Sequence, residues 1–118
     1  MKNNNLLDRT LFFGVRCLKY LRILPNSSEY NIIKNQLGKS STSVGANYEE
    51  AQAGSSKADF KNKVRISLKE IRESNYWLRI LKALDEAPND ELDFLVNESV
   101  ELKAIFATIT NKLNQKTS

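Results

Sequence analysis

Apolar residues recur along this chain of 118 residues at alternating steps of three and four, the spacing that puts side chains on one face of an α-helix. Leu7, Leu11, Gly14, Leu18 and Leu21 set that rhythm and predict a first helix over residues 6–24. Pro25 stops it, since proline has no amide proton for the next helical bond. Tyr30, Ile33, Leu37, Val44, Tyr48 and Ala51 predict a second helix over 27–53, with Asn26 as its cap, Glu29 completing a capping box and Gly54 ending it. The third prediction, over 56–84, carries Phe60, Val64, Leu68, Ile71, Leu78 and Leu81. Ser56 and Asp59 open it, and the acidic turn of Asp85, Glu86 and Pro88 closes it. Leu92, Leu95, Ser99, Leu102, Phe106, Ile109 and Leu113 keep a seven-residue repeat and predict a fourth helix over 89–113, opened by Asn89 or Ala87. The NNN near the start and the NQKTS at the end are expected to be disordered.

Four amphipathic helices with short connections pack most simply as an all-α, antiparallel up-down-up-down bundle, because sequential neighbours can then bury their stripes without long crossovers. No linker or fixed-period repeat divides the chain, so residues 1–118 are expected to form one domain. Two prolines, four glycines and 27% charged residues favour helices over a turn-rich β fold.

The stretch KSSTSVGANYEEAQAGSSKADF, residues 39–60, has the look of a site. On a helix, however, Ser40, Val44, Asn47, Tyr48 and Ala51 fall on one side, where small side chains let another helix approach closely. Ser, Thr and Gly are mediocre helix formers, at about 0.5–1 kcal/mol each against alanine, so packing has to hold this segment. Asn47 beside the seam, with Glu50 at its edge, reads as a structural polar pair that seeks partners on a neighbouring helix and fixes register. The functional alternative, a carboxylate site of Glu49, Glu50 and Glu73, lacks the Glu-x-x-His pattern of di-iron bundles.

The third helix has three sides. Lys57, Lys61, Arg65, Lys69, Arg72 and Arg79 fall within a sector roughly 120° wide and form a basic ridge. Phe60, Val64, Ile71 and Leu78 make the core face. Ile66, Trp77, Ile80 and Leu84, interleaved with Glu73, make a second apolar strip, which is either a further packing face within the bundle or a candidate subunit interface, where aromatic residues such as Trp77 are enriched.

Charge follows the same division. Residues 1–24 carry five basic groups and one acidic, residues 55–87 eight and five, and the whole chain has a formal net charge of +4. Arg9, Arg16, Lys19 and Arg22 of the first helix are expected to face the ridge of the third across a groove and to present cations to phosphates, contacts that bind without reading sequence. The alternative is a solvated face on a protein-interaction scaffold that binds no nucleic acid. No stripe of aromatic residues offers itself for base stacking and no RNP-like signature is present.

Other chemistry is scarce. With no histidine and a single cysteine, Cys17, there is no internal disulfide, and zinc, Cys–His and Ser–His–Asp chemistry all fall away. No enzyme activity, cofactor or metal is expected. The apolar runs are short and broken by charge, and Met1–Asn5 has no signal-peptide order, so a cytoplasmic protein without a membrane partner is expected.

Residues 36–81 carry a further pattern. Gln36 is followed by Ser41, Ser43, Val44 and Asn47, then by Glu50–Ala51, then by Ser56, Asp59 and Phe60. A helix with Leu68-Lys69-Glu70, a second glutamate at Glu73 and the pair Trp77-Leu78 completes it. The run resembles the four-helix-bundle proteins encoded in intervening sequences of bacterial 23S ribosomal RNA genes. That resemblance implies a bundle assembled into a ring-like homopentamer, with no known catalytic residues. It also implies kinship with the accessory variability protein of diversity-generating retroelements, a basic pentamer that binds nucleic acid and works with a reverse transcriptase. The expectation drawn from residues and resemblance together is a non-enzymatic oligomer that contacts RNA or DNA through its basic surface.

Overall fold

Each helix begins where a short polar side chain takes the place of a missing backbone partner. The computed structural model describes residues 5–54, 56–85 and 87–117, and its helices are α1 (Leu6–Arg22), α2 (Ser28–Gln52), α3 (Lys57–Leu84) and α4 (Asp90–Thr117). Asn5 Oδ1 accepts from the Leu7 amide at 2.8 Å, and Ser56 Oγ accepts from the Asp59 amide at 3.1 Å. Asn89 Oδ1 accepts from the Leu92 amide at 3.0 Å. Caps of this kind contribute about 1 kcal/mol each. At α2 the cap is Ser27, whose Oγ accepts from the Tyr30 amide, and not Asn26, whose side chain accepts instead from Asn31. Glu29 is then one residue short of the position a capping box requires.

Two boundaries differ from expectation. α1 stops at Arg22, where the Ile23 and Leu24 amides tighten onto Tyr20 and Leu21. α4 runs on to Thr117, so the segment from Asn114 to Thr117, expected to be disordered, is helical. Residues 1–4 and Ser118 lie outside the described residues.

Along α2, α3 and α4 the core follows the sequence period. Ile33, Leu37, Val44 and Ala51 meet Val64, Ile71, Leu78 and Leu81, and Leu92, Leu95, Leu102 and Phe106 close over them. Helix α1 is rotated from its expected setting. It buries Thr10, Phe13, Gly14, Cys17, Tyr20 and Leu21, whereas Leu11 is 59% exposed and Leu18 46%. The cause lies in the α1–α2 contact. A Cβ on Gly45 would lie 3.2 Å from the Thr10 carbonyl, and one on Gly14 would lie 3.4 Å from the Ser41 carbonyl. The face of α1 that can come this close is the one that carries Thr10 and Gly14. Of the expected stripe, Gly14 and Leu21 are buried and Leu11 and Leu18 are left outside.

Helices α2 and α3 share the most extensive packing, α1 packs on α2, α3 packs on α4, and α1 touches α4 only lightly. Helices α1 and α3 make no close backbone approach among the described residues, so the expected groove between them does not form. Buried polar groups tie the remaining seams. Ser67 Oγ donates to the Val44 carbonyl at 2.9 Å, Ser74 Oγ to Ser40 Oγ at 2.9 Å, and Asn75 Nδ2 to Ser99 Oγ at 2.8 Å. Buried polar atoms must be paired to be tolerated, and here small hydroxyls achieve that while keeping the helices close.

Candidate nucleic-acid interface

The outward stripe of α3 is built by its own core face: with Val64, Ser67, Ile71, Ser74, Asn75 and Leu78 buried, the positions opposite must face water. Those positions are Arg65, Lys69, Arg72, Tyr76 and Arg79, all exposed. Arg65 Nη2 donates to the neutral Asn114 Oδ1 at 3.0 Å, and Arg79 Nε donates to the neutral Asn75 Oδ1 at 2.9 Å. Arg9, Arg16, Lys63 and Lys82 stand in ion pairs, whereas among the described residues none involves Arg65, Lys69, Arg72 or Arg79. Lys57 is exposed at the start of α3, and Lys61 is half-buried on the flank of the stripe. Beside the ridge, burial and the neighbouring Glu73 charge raise the Glu70 carboxyl, with Lys69 and Lys39 acting against them.

Two of the expected cations lie elsewhere. Arg16 grips Glu91 with Nε and Nη2 at 3.0 and 2.6 Å, and its guanidinium sits 3.7 Å over the Phe94 ring. That hydrogen bond holds the Glu91 carboxyl below its ordinary range. Lys19 lines the same α1–α4 groove, a space of about 570 Å³ with Phe12, Phe13, Val15 and Phe94 among its walls. The groove is rimmed on the other side by Arg9, which bonds Glu98 at 2.7 Å and Glu101 at 2.9 Å. Arg16 and Lys19 therefore belong to a second surface, apart from the α3 ridge.

The structural pair separates as well. Asn47 Nδ2 donates to the Ser43 carbonyl of its own helix at 2.9 Å, so it does not cross to a neighbour. Glu50, with its side chain 62% exposed, pairs with Lys63 of α3 at 2.8 Å. The cross-helix polar role expected of Asn47 falls to Ser40, Ser67, Ser74, Asn75 and Ser99. Their signal was small polar side chains at seam positions of a helical repeat. In the second apolar strip, Trp77 and Ile80 pack against the chain's own core, Trp77 Nε1 donates to Glu73 Oε2 at 3.3 Å, Ile66 is half-buried, and Leu84 is exposed.

Two surface features escaped the sequence reading. One is Tyr76, 50% exposed in the middle of the ridge. The other is the outer face of α1, where Leu11, Phe12, Val15 and Leu18 stand exposed next to Phe94 of α4. Cys17 is fully enclosed, and burial pushes its thiol up to about 12. Among the described residues no three His, Cys, Asp or Glu side chains gather to hold a metal, and no helix is long and apolar enough to cross a membrane.

No curated protein matches this chain. Among solved structures it is similar to a crystal structure of a protein with unknown function from the S23 ribosomal protein family of Bacteroides thetaiotaomicron VPI-5482. The two are 34% identical and superpose with a TM-score of 0.79, over 88% of this chain and 96% of that one. The profile of the 23S rRNA-intervening sequence proteins matches residues 2–108. With its all-α, four-helix fold and a match over most of its length, the chain belongs to the 23S rRNA-intervening sequence protein family.

Proposed function

We propose that this protein is a non-enzymatic up-down-up-down bundle that assembles into a ring-like homopentamer and binds RNA or DNA by phosphate contacts along α3. The order of the helices is supported by short connections and by paired residues. Numbers fall along α2 from Glu50 to Ser40 as they rise along α3 from Lys63 to Ser74.

One observation carries the binding reading: Arg65, Lys69, Arg72 and Arg79 line one exposed stripe with no carboxylate paired to them among the described residues. A cation already matched by a carboxylate gains little from a phosphate, whereas these four can release counterions from a polyanion. Titrating an RNA hairpin and a DNA duplex at several salt concentrations tests it. The expected result is a log affinity that falls linearly with log salt, with a slope near 0.9 for each phosphate engaged on duplex DNA, and flattens when Arg65, Lys69 and Arg72 are replaced by Glu. Absence of binding even at low salt overturns it in favour of a protein-interaction scaffold.

Assembly draws support from the apolar surface left over by a single copy. A closed ring of five needs two unlike patches on each subunit. The exposed outer face of α1 with Phe94 supplies one; the other is the strip of Ile66, Glu73, Trp77, Ile80 and Leu84, of which Leu84 is exposed while the rest are half-buried and would add only their outer edges. The number five comes from the family resemblance.

A further inference from the structure

The ridge of α3 is not purely cationic. At about 100° per residue, Arg65, Lys69, Arg72, Tyr76 and Arg79 fall in a sector roughly 80° wide, and Tyr76 lies inside it, one turn beyond Arg72 and three residues before Arg79. From Arg65 to Arg79 the stripe is about 21 Å long at the helical rise of about 1.5 Å per residue. Tyr76 is the aromatic member of this stripe and is half exposed.

The ring is also held in place. Its centroid lies 5.2 Å from that of Trp77, with the planes 77° apart, and the Arg79 guanidinium carbon stands 5.8 Å from it. Each neighbour is itself tethered. Trp77 is half-buried and bonds Glu73, while Arg79 bonds Asn75, whose amide is anchored in the core on Ser99. An exposed ring with restrained neighbours and cations on both sides has the makings of a stacking platform, because the conformational entropy lost on binding is small.

We infer that Tyr76 stacks on an unpaired base while Arg72 and Arg79 hold the flanking phosphates, so that the ridge takes single-stranded nucleic acid in preference to duplex. This rests on the phosphate-binding reading above and adds the substrate class. A duplex offers the ridge only its backbone, since its base faces are already stacked. A single strand offers both backbone and bases. Every base has a π-face, so RNA and DNA strands are expected to share the effect, and the sequence of the strand should matter little.

The test is fluorescence anisotropy with a labelled single-stranded RNA, the DNA strand of the same sequence, and the DNA duplex, on the intact protein and on Tyr76→Ala, Tyr76→Phe and the triple Glu variant of Arg65, Lys69 and Arg72. Tyr76→Ala is expected to weaken both single strands about 5- to 100-fold while leaving duplex affinity and salt slope in place. Tyr76→Phe should keep most of the preference, since the ring and not the hydroxyl stacks. Equal losses on strand and duplex, or no loss on either, overturn the stacking role while the phosphate reading stands. If the intact protein binds none of the three at low salt, both readings fall together. Thermal melting of Tyr76→Ala checks that the bundle is intact, as a half-exposed position allows.

Discussion

Ser74 of α3 places its hydroxyl 2.9 Å from the hydroxyl of Ser40 on α2, with both side chains shut away from water. Ser40 also reaches the Leu37 carbonyl of its own helix at 3.4 Å, so the pair ties a side chain of α3 to the backbone of α2. Replacing Ser74 alone by Ala should cost about 1–2 kcal/mol, since it leaves a buried partner under-satisfied. The double replacement by Ala should cost clearly less than the sum of the two single ones. Urea unfolding of the four proteins in a double-mutant cycle measures this, and strict additivity would show the hydroxyls to be independent.

The glycines of α2 should respond in opposite directions. A Cβ on Gly45 meets the Thr10 backbone at 3.2 Å, which cannot yield without shifting α1. Gly45→Ala is therefore expected to destabilise by about 1–3 kcal/mol despite the better helix propensity of alanine. At Gly38 the nearest atoms are the ends of the Leu21 and Leu18 side chains, at 3.7 and 3.8 Å. Gly38→Ala should stabilise by about 0.5–1 kcal/mol, read from the shift in melting temperature.

Alkaline pH should weaken the fold through Cys17. The thiol ionises at 9.0 when unperturbed and is pushed up to about 12 in the native state, chiefly by burial. Between those values the unfolded chain has released a proton that the folded chain keeps, so stability is complete below pH 9 and falls as pH rises. The Cys17 contribution falls by about 1.4 kcal/mol per pH unit. Tyr20, also raised by burial, acts in the same direction. Comparing urea midpoints of the natural protein and Cys17→Ala across pH 8–11 should show a shallower decline in the variant. The native thiol should also resist alkylating reagents until the chain unfolds.

Association should depend on α1. Phe12 is 55% exposed and shares the α1–α4 groove with Val15 and Phe94. Replacing Phe12 and Leu11 by Asp is expected to leave the single copy folded and to reduce the particle mass in solution to that of one chain. Light scattering coupled to size-exclusion chromatography gives the answer: an intact protein already at the mass of one chain overturns the ring, and a variant that keeps a larger mass moves the contact elsewhere.

What could be read in advance was decided by how many faces each helix buries. Helix α4 packs one stripe, and its seven-residue repeat gave Leu92, Leu95, Ser99, Leu102 and Phe106 as buried residues. Helix α1 has two apolar stripes, and side-chain size favours the leucines. The winning stripe is set by which side lets α1 approach Gly45, a tertiary condition that periodicity does not contain. The α3 ridge was legible as charge, since cations at helical spacing need no partner to be recognised. Tyr76 was not, because a single tyrosine reads as core or surface with equal ease until its neighbours are seen buried. Arg16 does not join the ridge because α1 packs beside α2 and α4 and not beside α3, which brings its guanidinium to Glu91.

The light contact between α1 and α4 has a mechanical meaning. Every other neighbouring pair of helices is zipped by a broad interlocked surface, but this seam is fastened mainly by guanidinium clips, from Arg9 to Glu98 and Glu101 and from Arg16 to Glu91. Local opening begins where the fewest apolar contacts have to be undone, so this seam, with α1 as one of its two staves, is expected to part first. A neighbouring subunit pressed against the leucines of α1 would act as the hoop on that barrel.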